Sequence, residues 1–181
     1  IYESHMIIAL TRYDPSTYKE YRDWCKKNNF NGSIINAPCE VNLKISPRTP
    51  IFVIHILNLN KTKLFGISGK IIGFSVIENK PVYSHNIIYN NKFNDFDIYS
   101  DKNYNRYTYV SKYFVSFDKI NETNYHILRE LECVIFYGKN NSKRGEGISL
   151  PSFPKDIVFT ESTQKYMKEI YDEGVRIIKK N

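Results

Sequence analysis

The stretch LFGISGKIIGFSVI, residues 64–77, is the part of the chain that best indicates the fold. It is apolar and long enough to form an extended strand with a buried face. Three glycines, Gly66, Gly69 and Gly73, interrupt it. Glycines inside a strand mark bulges, bends or close approaches of the backbone, and small barrels turn their corners in this way. The stretch therefore predicts a strand that bends within a small closed sheet.

Further strand-like runs lie before and after this stretch. They are MIIAL at residues 6–10, IFVIHIL at 51–57, RYTYVSKYFVSF at 106–117 and CVIFY at 133–137. RYTYVSKYFVSF alternates as a single strand, and the side chains that would share one face are Tyr107, Tyr109, Ser111, Tyr113, Val115 and Phe117. The chain is thus rich in short strands of uneven length.

Helical signals lie toward both ends of the chain. In the first, Asp14 can cap the free backbone amides, Pro15 suits the first helical position and Gly32 ends the segment. Aromatic and apolar residues there recur at helical spacing, namely Tyr18, Tyr21, Trp24 and Cys25. A shorter helix is predicted at 121–132, and a last one after Thr160 with an apolar face of Tyr166, Ile170, Val175 and Ile177.

The order of these elements predicts an α+β fold. We expect a small β-barrel flanked by helices in the N-terminal third and at the C-terminus. A length of 181 residues suits one domain, which we place at residues 6–181. Residues 1–5 look like part of a cloning scar before Met6.

Composition and charge narrow the class of protein. The formal net charge is +7, which favours an anionic partner such as nucleic acid. The abundance of Ile, Asn, Lys and Tyr is typical of an AT-rich coding sequence, as in a large DNA virus or an AT-rich protist, and codon bias alone also explains this charge. No apolar run approaches the roughly 18–20 residues of a membrane span, so no membrane partner is expected.

The cysteines indicate a reducing environment. Cys25, Cys39 and Cys133 are odd in number and form no CxxC pair. We interpret them as reduced core residues of an intracellular protein, in the cytoplasm or the nucleus.

Common catalytic motifs are missing from the sequence. No Walker loop, GxSxG, HExxH or zinc-finger spacing occurs, so no cofactor, metal ligand or catalytic residue is predicted. His55 lies inside an apolar run and is interpreted as a core histidine. An acidic cluster of Asp95, Asp97 and Asp101 leaves open an alternative in which the protein is a metal-dependent enzyme that processes nucleic acid.

Two segments combine cations, aromatic side chains and glycines: residues 102–113 and 136–147. Glycine lets backbone amides approach a phosphate, and lysine and arginine supply the charge. The predicted phosphate-binding residues are Arg106, Lys112, Lys139, Lys143 and Arg144. Tyr104, Tyr107 and Tyr109 offer ring faces on which bases can stack, although alternating tyrosines of a strand can also lie half in the core. These segments predict a nucleic-acid-binding surface.

The chain also resembles the PUA-like superfamily, in particular its EVE and YTH branches. The resemblance rests on GSIINAP, TPIFVIHILNLNKTKLFGISGKIIGFSV, NRYTYVSKYFVSF and RGEGISLPSFPKDIVFTESTQKYMKEIY, in this order. It implies a reader of a modified base in RNA or DNA, in a single strand or flipped out of a duplex. The pocket segment would supply Ser33, Asn36 and Pro38, and Arg106 would lie on the basic strand.

The same resemblance leaves the identity of the base open. YTH domains carry a tryptophan in the pocket segment, whereas this chain has Ile34 and Ile35 there. Trp24, on the first helix, would either close the base pocket together with Tyr104 and Tyr107 or pack in the core. A second class of function also stays open, namely a host-directed viral adaptor module that binds a protein partner through an exposed apolar groove.

Overall fold

The computed structural model describes residues 6–13, 15–37, 46–58, 69–80, 82–83, 107–117, 147–149 and 161–181. The strands are β1 (Ile7–Tyr13), β2 (Ser33–Ala37), β3 (Pro50–Asn58), β4 (Gly69–Glu78), β5 (Val82–Tyr83), β6 (Tyr107–Ser111), β7 (Phe114–Ser116) and β8 (Gly147–Ser149). The helices are α1 (Pro15–Lys27) and α2 (Glu161–Lys180). The fold is α+β, as predicted. The helix expected at 121–132 and the strand expected at 133–137 lie outside the described residues.

The strands form two hydrogen-bonded sheets. The large sheet has the order β7-β4-β3-β1-β8, and the small sheet has the order β2-β6-β5. In the large sheet β1 and β3 run parallel, and the other neighbours are antiparallel. No hydrogen-bonded ladder joins the two sheets within the described part of the chain, so a closed barrel is not found there.

The sheets pack in layers with the helices. One face of the large sheet packs against α2, with Phe52 and Phe74 beside Met167 and Ile170. Its other face packs against the small sheet, where a second apolar cluster comprises Ala9, Ile35, Ile51, Val53, Ile77 and Tyr109. Both faces of the large sheet are therefore covered, which explains the near-continuous apolar run of β3.

The segment 106–117 is not one strand. Residues up to Ser111 belong to the small sheet as β6, and residues from Phe114 belong to the large sheet as β7. Tyr109 and Ser111 are buried and Val110 is exposed, but Thr108, on the face of Val110, is buried too, so the alternation holds only in part. The ring of Tyr109 is therefore not available to stack on a base. Beyond the break Phe114, Val115 and Ser116 are all buried, because β7 is covered on both faces. We call the junction at Lys112 and Tyr113 the corner.

β4 contains the irregularity that its glycines predict. The pairing register of β3 and β4 shifts between His55 and Ile56, opposite Gly73. A Cβ on Gly73 would lie 2.5 Å from the Phe114 ring and 2.6 Å from the Val115 carbonyl oxygen. Glycine is required here because β7 approaches the backbone of β4 closely. Gly66 lies outside the described residues.

The first helix begins at Pro15, as predicted, but ends at Lys27 rather than near Gly32. Asn29 adopts a positive φ of 52°. The Phe30 N–H donates to the Cys25 carbonyl over 2.9 Å, and the Asn29 N–H donates to the Lys26 carbonyl over 3.4 Å. These are the two bonds of a Schellman motif, with asparagine in the left-handed position that glycine usually takes. The predicted cap, Asp14, lies outside the described residues.

Neither described helix is long and apolar enough to cross a membrane.

Candidate nucleic-acid interface

The corner is held by the chain that follows α1. The Phe114 N–H donates to the Asn31 carbonyl over 2.6 Å, and the Ser33 N–H donates to the Ser111 hydroxyl over 2.9 Å. Gly32 lies against the Ser111 backbone so closely that a Cβ would be 2.9 Å from its carbonyl carbon and would overlap its oxygen. Glycine is therefore required at position 32 by this close approach, and Gly32 does not end α1.

Cations from two elements meet an aromatic ring at the corner. The Lys112 Nζ lies 5.5 Å from the centroid of the Tyr113 ring, and the Lys179 Nζ, from the last turn of α2, lies 5.6 Å from it. The Arg22 guanidinium of α1 lies 5.0 Å from the centroid of the adjacent Phe114 ring. We call these residues, Arg22, Lys112, Tyr113, Phe114 and Lys179, the corner surface, in which the Phe114 ring itself is buried. These distances are within the range of cation–π attraction.

The corner surface keeps its positive charge. The ion pairs found in the described residues are Lys19–Asp23 and Glu173–Arg176, both exposed, and neither involves a cation of the corner surface. The Arg176 hydrogen bond lowers the pKa of Glu173. The surface can therefore offer its charges to an anion without first breaking an ion pair to a described carboxylate.

Tyr171, on α2, is partly buried near Tyr113. Burial raises the pKa of Tyr171 to about 12, and the nearby Asp172 and Tyr113 add to the effect. The Tyr171 ring packs edge-on against Phe52, with 5.9 Å between the ring centroids.

A small concavity of about 50 Å³ lies beside the corner surface, between the ends of the two helices. The residues that line it are Arg22, Phe30, Asn31, Phe114, Val115, Ser116, Gly174, Ile177 and Ile178. Ligand pockets usually measure about 300–1,000 Å³. This concavity can hold a water molecule or part of a phosphate, but it is too small for a flipped base.

A larger groove of about 950 Å³ lies near the other end of α2. Its apolar part includes Met6, Phe52, Val76 and Tyr171. Its polar rim includes Glu161, Gln164, Lys165, Lys168 and Asp172, so it carries cations and anions together. The groove is mixed in charge, in contrast to the corner surface.

A chain of buried polar side chains runs through the interior between the sheets. Tyr13 OH lies 3.1 Å from His55 Nδ1, and His55 Nε2 lies 2.6 Å from Ser75 Oγ. Ser75 Oγ lies 3.2 Å from Ser33 Oγ, and Ser33 Oγ lies 2.6 Å from Ser111 Oγ. The prediction of a core histidine is confirmed, since His55 is fully buried. Burial, and then the charge of Arg22, lowers the pKa of His55 to about 3.

Two of the predicted pocket residues, Ser33 and Trp24, lie on opposite sides of β2. The Ser33 side chain points to Ser75 and Ser111 between the sheets. Trp24 is buried in a separate cluster with Ile34, the next residue along β2, and its ring packs edge-on against Phe30. Because neighbouring side chains of a strand point to opposite faces, the structure does not bring Ser33 and Trp24 together.

Asn36 and Tyr107 lie on paired strands of the small sheet but not opposite each other. Ala37 pairs with Tyr107, and Asn36 pairs with Thr108. The side chains of Asn36 and Tyr107 lie outside what the structure describes. Lys112 is exposed at the corner. The remaining predicted residues lie outside the described part of the chain, namely Pro38, Tyr104, Arg106, Lys139, Lys143, Arg144 and the acidic Asp95, Asp97 and Asp101.

Four members of the corner surface, namely Arg22, Tyr113, Phe114 and Lys179, are not among the site residues predicted from the sequence. Tyr113 lies in the predicted segment 102–113 and, like Phe114, on the alternating strand, but neither was named as a site residue. Arg22 lies in the first predicted helix, and Lys179 lies near the end of the last one. A lysine in the last turn is ordinary, because it complements the helix dipole. No local pattern links these positions, so only the packing of both helices around the corner reveals them.

Comparisons with known proteins give no relative for this chain: no protein-family model matches it, and searches of curated proteins and of solved structures find no match. Among the described residues, no group of three or more His, Cys, Asp or Glu side chains is placed to hold a metal ion. The corner surface is therefore assessed on its own geometry and charge.

Proposed function

We propose that this domain binds nucleic acid and that the corner surface contacts the backbone and one base. The observation that carries the proposal is the Tyr113 ring, which has a lysine from β6–β7 and a lysine from α2 within 6 Å of its centroid. Lysine and arginine attract phosphates, and an aromatic ring stacks on bases of any sequence. The net charge of +7 supports this proposal.

The proposal also extends to the fold family, the ligand and the cellular location. A PUA-like barrel is supported by the way β6 of the small sheet continues across the corner into β7 of the large sheet. Recognition of a modified base is supported by the resemblance in sequence. An intracellular location is supported by Cys25, which is buried and forms no disulfide.

The test is a binding measurement with two matched double variants. Lys112→Ala with Lys179→Ala removes two charges from the corner surface, while Lys165→Ala with Lys168→Ala removes two charges from the groove near the other end of α2. Fluorescence anisotropy would compare single-stranded and duplex oligonucleotides, each with and without base methylation. We expect the corner variant to lose about tenfold or more in affinity and the groove variant to lose much less. Equal losses would show that general charge, and not the corner surface, drives binding.

A second candidate function rests on the groove. Its apolar floor and mixed rim suit a peptide segment of a protein partner better than a polyanion. This candidate predicts that the intact protein shows no salt-sensitive binding to any oligonucleotide at low salt. It also predicts that Lys165→Ala with Lys168→Ala weakens capture of a defined protein partner while the corner variant does not.

A further inference from the structure

Arg22 brings a cation to the small concavity beside the corner surface. Its guanidinium lies 5.0 Å from the centroid of the Phe114 ring and 5.9 Å from the centroid of the Tyr21 ring. Arg22 forms no ion pair and no side-chain hydrogen bond with any residue that the structure describes. An arginine held against aromatic rings can still donate through its planar fork of N–H groups, so Arg22 can bind an anion here.

Ser116 adds a neutral donor to the same concavity, which it lines although it is only 5% exposed. Alternation along β7 places Ser116 on the face of Phe114, whereas Val115 points the other way, toward Gly174 of α2. Within the described part of the chain, the Ser116 hydroxyl forms no hydrogen bond. A buried hydroxyl without a protein partner needs a water molecule or a ligand group to bind.

The rest of the concavity favours an anion and limits its size. Phe30, Ile177 and Ile178 contribute apolar walls, and none of the residues that line the concavity is a carboxylate. Low polarity around a cation strengthens its attraction to an anion. The volume of about 50 Å³ leaves room for the oxygens of one small anion but not for a sugar or a base.

We infer that this concavity is a subsite for one phosphate group, whose non-bridging oxygens accept hydrogen bonds from the Arg22 guanidinium and the Ser116 hydroxyl. Arginine can bind two phosphate oxygens at once, and serine hydroxyls commonly donate to phosphate. The subsite would fix the position of one phosphate, whereas Lys112 and Lys179 act as exposed charges around it. Binding of free phosphate stands without the proposed function, whereas a phosphate that belongs to nucleic acid rests on that function.

The direct test is ¹H–¹⁵N NMR of the full chain, titrated with inorganic phosphate at constant pH and ionic strength. We expect saturable shifts of the Ser116 and Gly174 amides and of the Arg22 side-chain N–H. Chloride and acetate at the same ionic strength should shift these signals much less. An equal response to acetate would indicate a site for the carboxylate of a protein partner and would overturn the inference.

Two variants remove the donors one at a time. Arg22→Gln should weaken phosphate binding about tenfold, and Ser116→Ala, which removes only a hydroxyl, about threefold. Lys165→Gln removes an exposed charge near the other end of α2 and should leave phosphate affinity unchanged. The amide spectrum shows whether each variant is folded, and Ser116→Ala decides the question if Arg22→Gln does not fold. Wild-type phosphate affinity in either folded variant would overturn the inference.

Oligonucleotides identify the source of the phosphate. Fluorescence anisotropy would compare single strands with hydroxyl ends and strands with a 5′- or 3′-phosphate, on the wild type and on Ser116→Ala. Equal weakening for all strands would assign an internal diester to the subsite, whereas weakening only for the phosphorylated strands would assign a terminal monoester. Unchanged binding of every strand would overturn the placement of a nucleic-acid phosphate in the subsite. Binding of inorganic phosphate without binding of any oligonucleotide would reject the proposed function alone.

Discussion

His55 shows how burial changes the chemistry of one residue. An ordinary histidine has a pKa of 6.5, and in the folded chain burial, helped by the charge of Arg22, lowers the pKa of His55 to about 3. The unfolded chain therefore takes up a proton near pH 6.5 that the folded chain refuses. The stabilisation is complete above pH 6.5 and is lost as the pH falls toward 3.

We therefore predict that His55 makes the free energy of unfolding fall with acidification between pH 6.5 and pH 3, at up to about 1.4 kcal/mol per pH unit. Urea unfolding of the wild type and of His55→Gln should be measured at several pH values above 4.5, where most carboxylates stay ionised. The free energy of unfolding of His55→Gln should depend less steeply on pH than that of the wild type. Parallel slopes for the two proteins would mean that His55 is accessible to protons in the folded state.

Gly174 is a second residue whose role depends on its neighbour. It lies in the interior of α2, where glycine is about 1 kcal/mol less favourable than alanine. A Cβ at this position would nevertheless lie 2.7 Å from Val115 Cγ2 and would overlap Cγ1. The close contact between α2 and β7 therefore requires glycine.

We predict that Gly174→Ala lowers the free energy of unfolding by about 1–3 kcal/mol, because the overlap outweighs the gain in helix propensity. Combining it with Val115→Ala should cost less than the sum of the two single changes, since the obstructing methyl groups are gone. Thermal or urea unfolding of the two single variants and the double variant measures this coupling. Strict additivity would show that α2 does not rest on Val115.

At the scale of elements, α2 is held by a narrow apolar stripe. Met167 and Ile170 are buried against the large sheet, while Tyr166 is 44% exposed on the same helix. The helix is otherwise rich in charge, so its stability comes mainly from this stripe rather than from its own propensity.

Truncation of a side chain in this apolar stripe is expected to lower the free energy of unfolding. Met167→Ala should lower the free energy of unfolding by about 2–5 kcal/mol, as buried methionine truncations do, and Tyr166→Ala by less than about 1 kcal/mol. Denaturant unfolding followed by circular dichroism compares the two. A loss at Tyr166 as large as that at Met167 would place the contact face of α2 elsewhere.

At the scale of the molecule, the distribution of charge matters more than its sum. The net charge of +7 is spread over the chain, but the corner collects cations from α1, from the β6–β7 junction and from α2 around two aromatic rings. Binding of a polyanion releases counterions in proportion to the phosphates contacted. The salt dependence of binding therefore measures how many of these charges take part.

We predict that the logarithm of affinity falls linearly with the logarithm of salt concentration. Lys112→Ala with Lys179→Ala should reduce the slope by about 1.4–1.8, since each phosphate contact contributes about 0.7–0.9. Lys165→Ala with Lys168→Ala serves as the control and should leave the slope nearly unchanged. An unchanged slope in the corner variant would remove both lysines from the phosphate contacts.

The fold and the interface differ in how far local sequence predicts them. β1, β3, the start of α1 and the burial of His55 follow from apolar runs and from Pro15, because neighbouring residues in the chain decide such features. The sequence predicts the end of α1 too far along the chain, because it assigns the end of the helix to Gly32. In the structure Asn29 takes the left-handed conformation after the helix, and Gly32 allows the close approach to the Ser111 backbone. The break in the strand at 106–117 was missed because its alternation continues past the corner.

The α+β class, the positions of most described elements and the excess of positive charge follow from the sequence alone. Apolar periodicity, turn residues and composition can each be recognised in short stretches of the chain. The tertiary structure alone decided that β6 and β7 belong to different sheets. It also decided that Ser33 joins Ser75 and Ser111 inside, and that Lys179 meets Lys112 at Tyr113. Such contacts join residues far apart in the chain, and they depend on how closely the elements pack at positions such as Gly32 and Gly174.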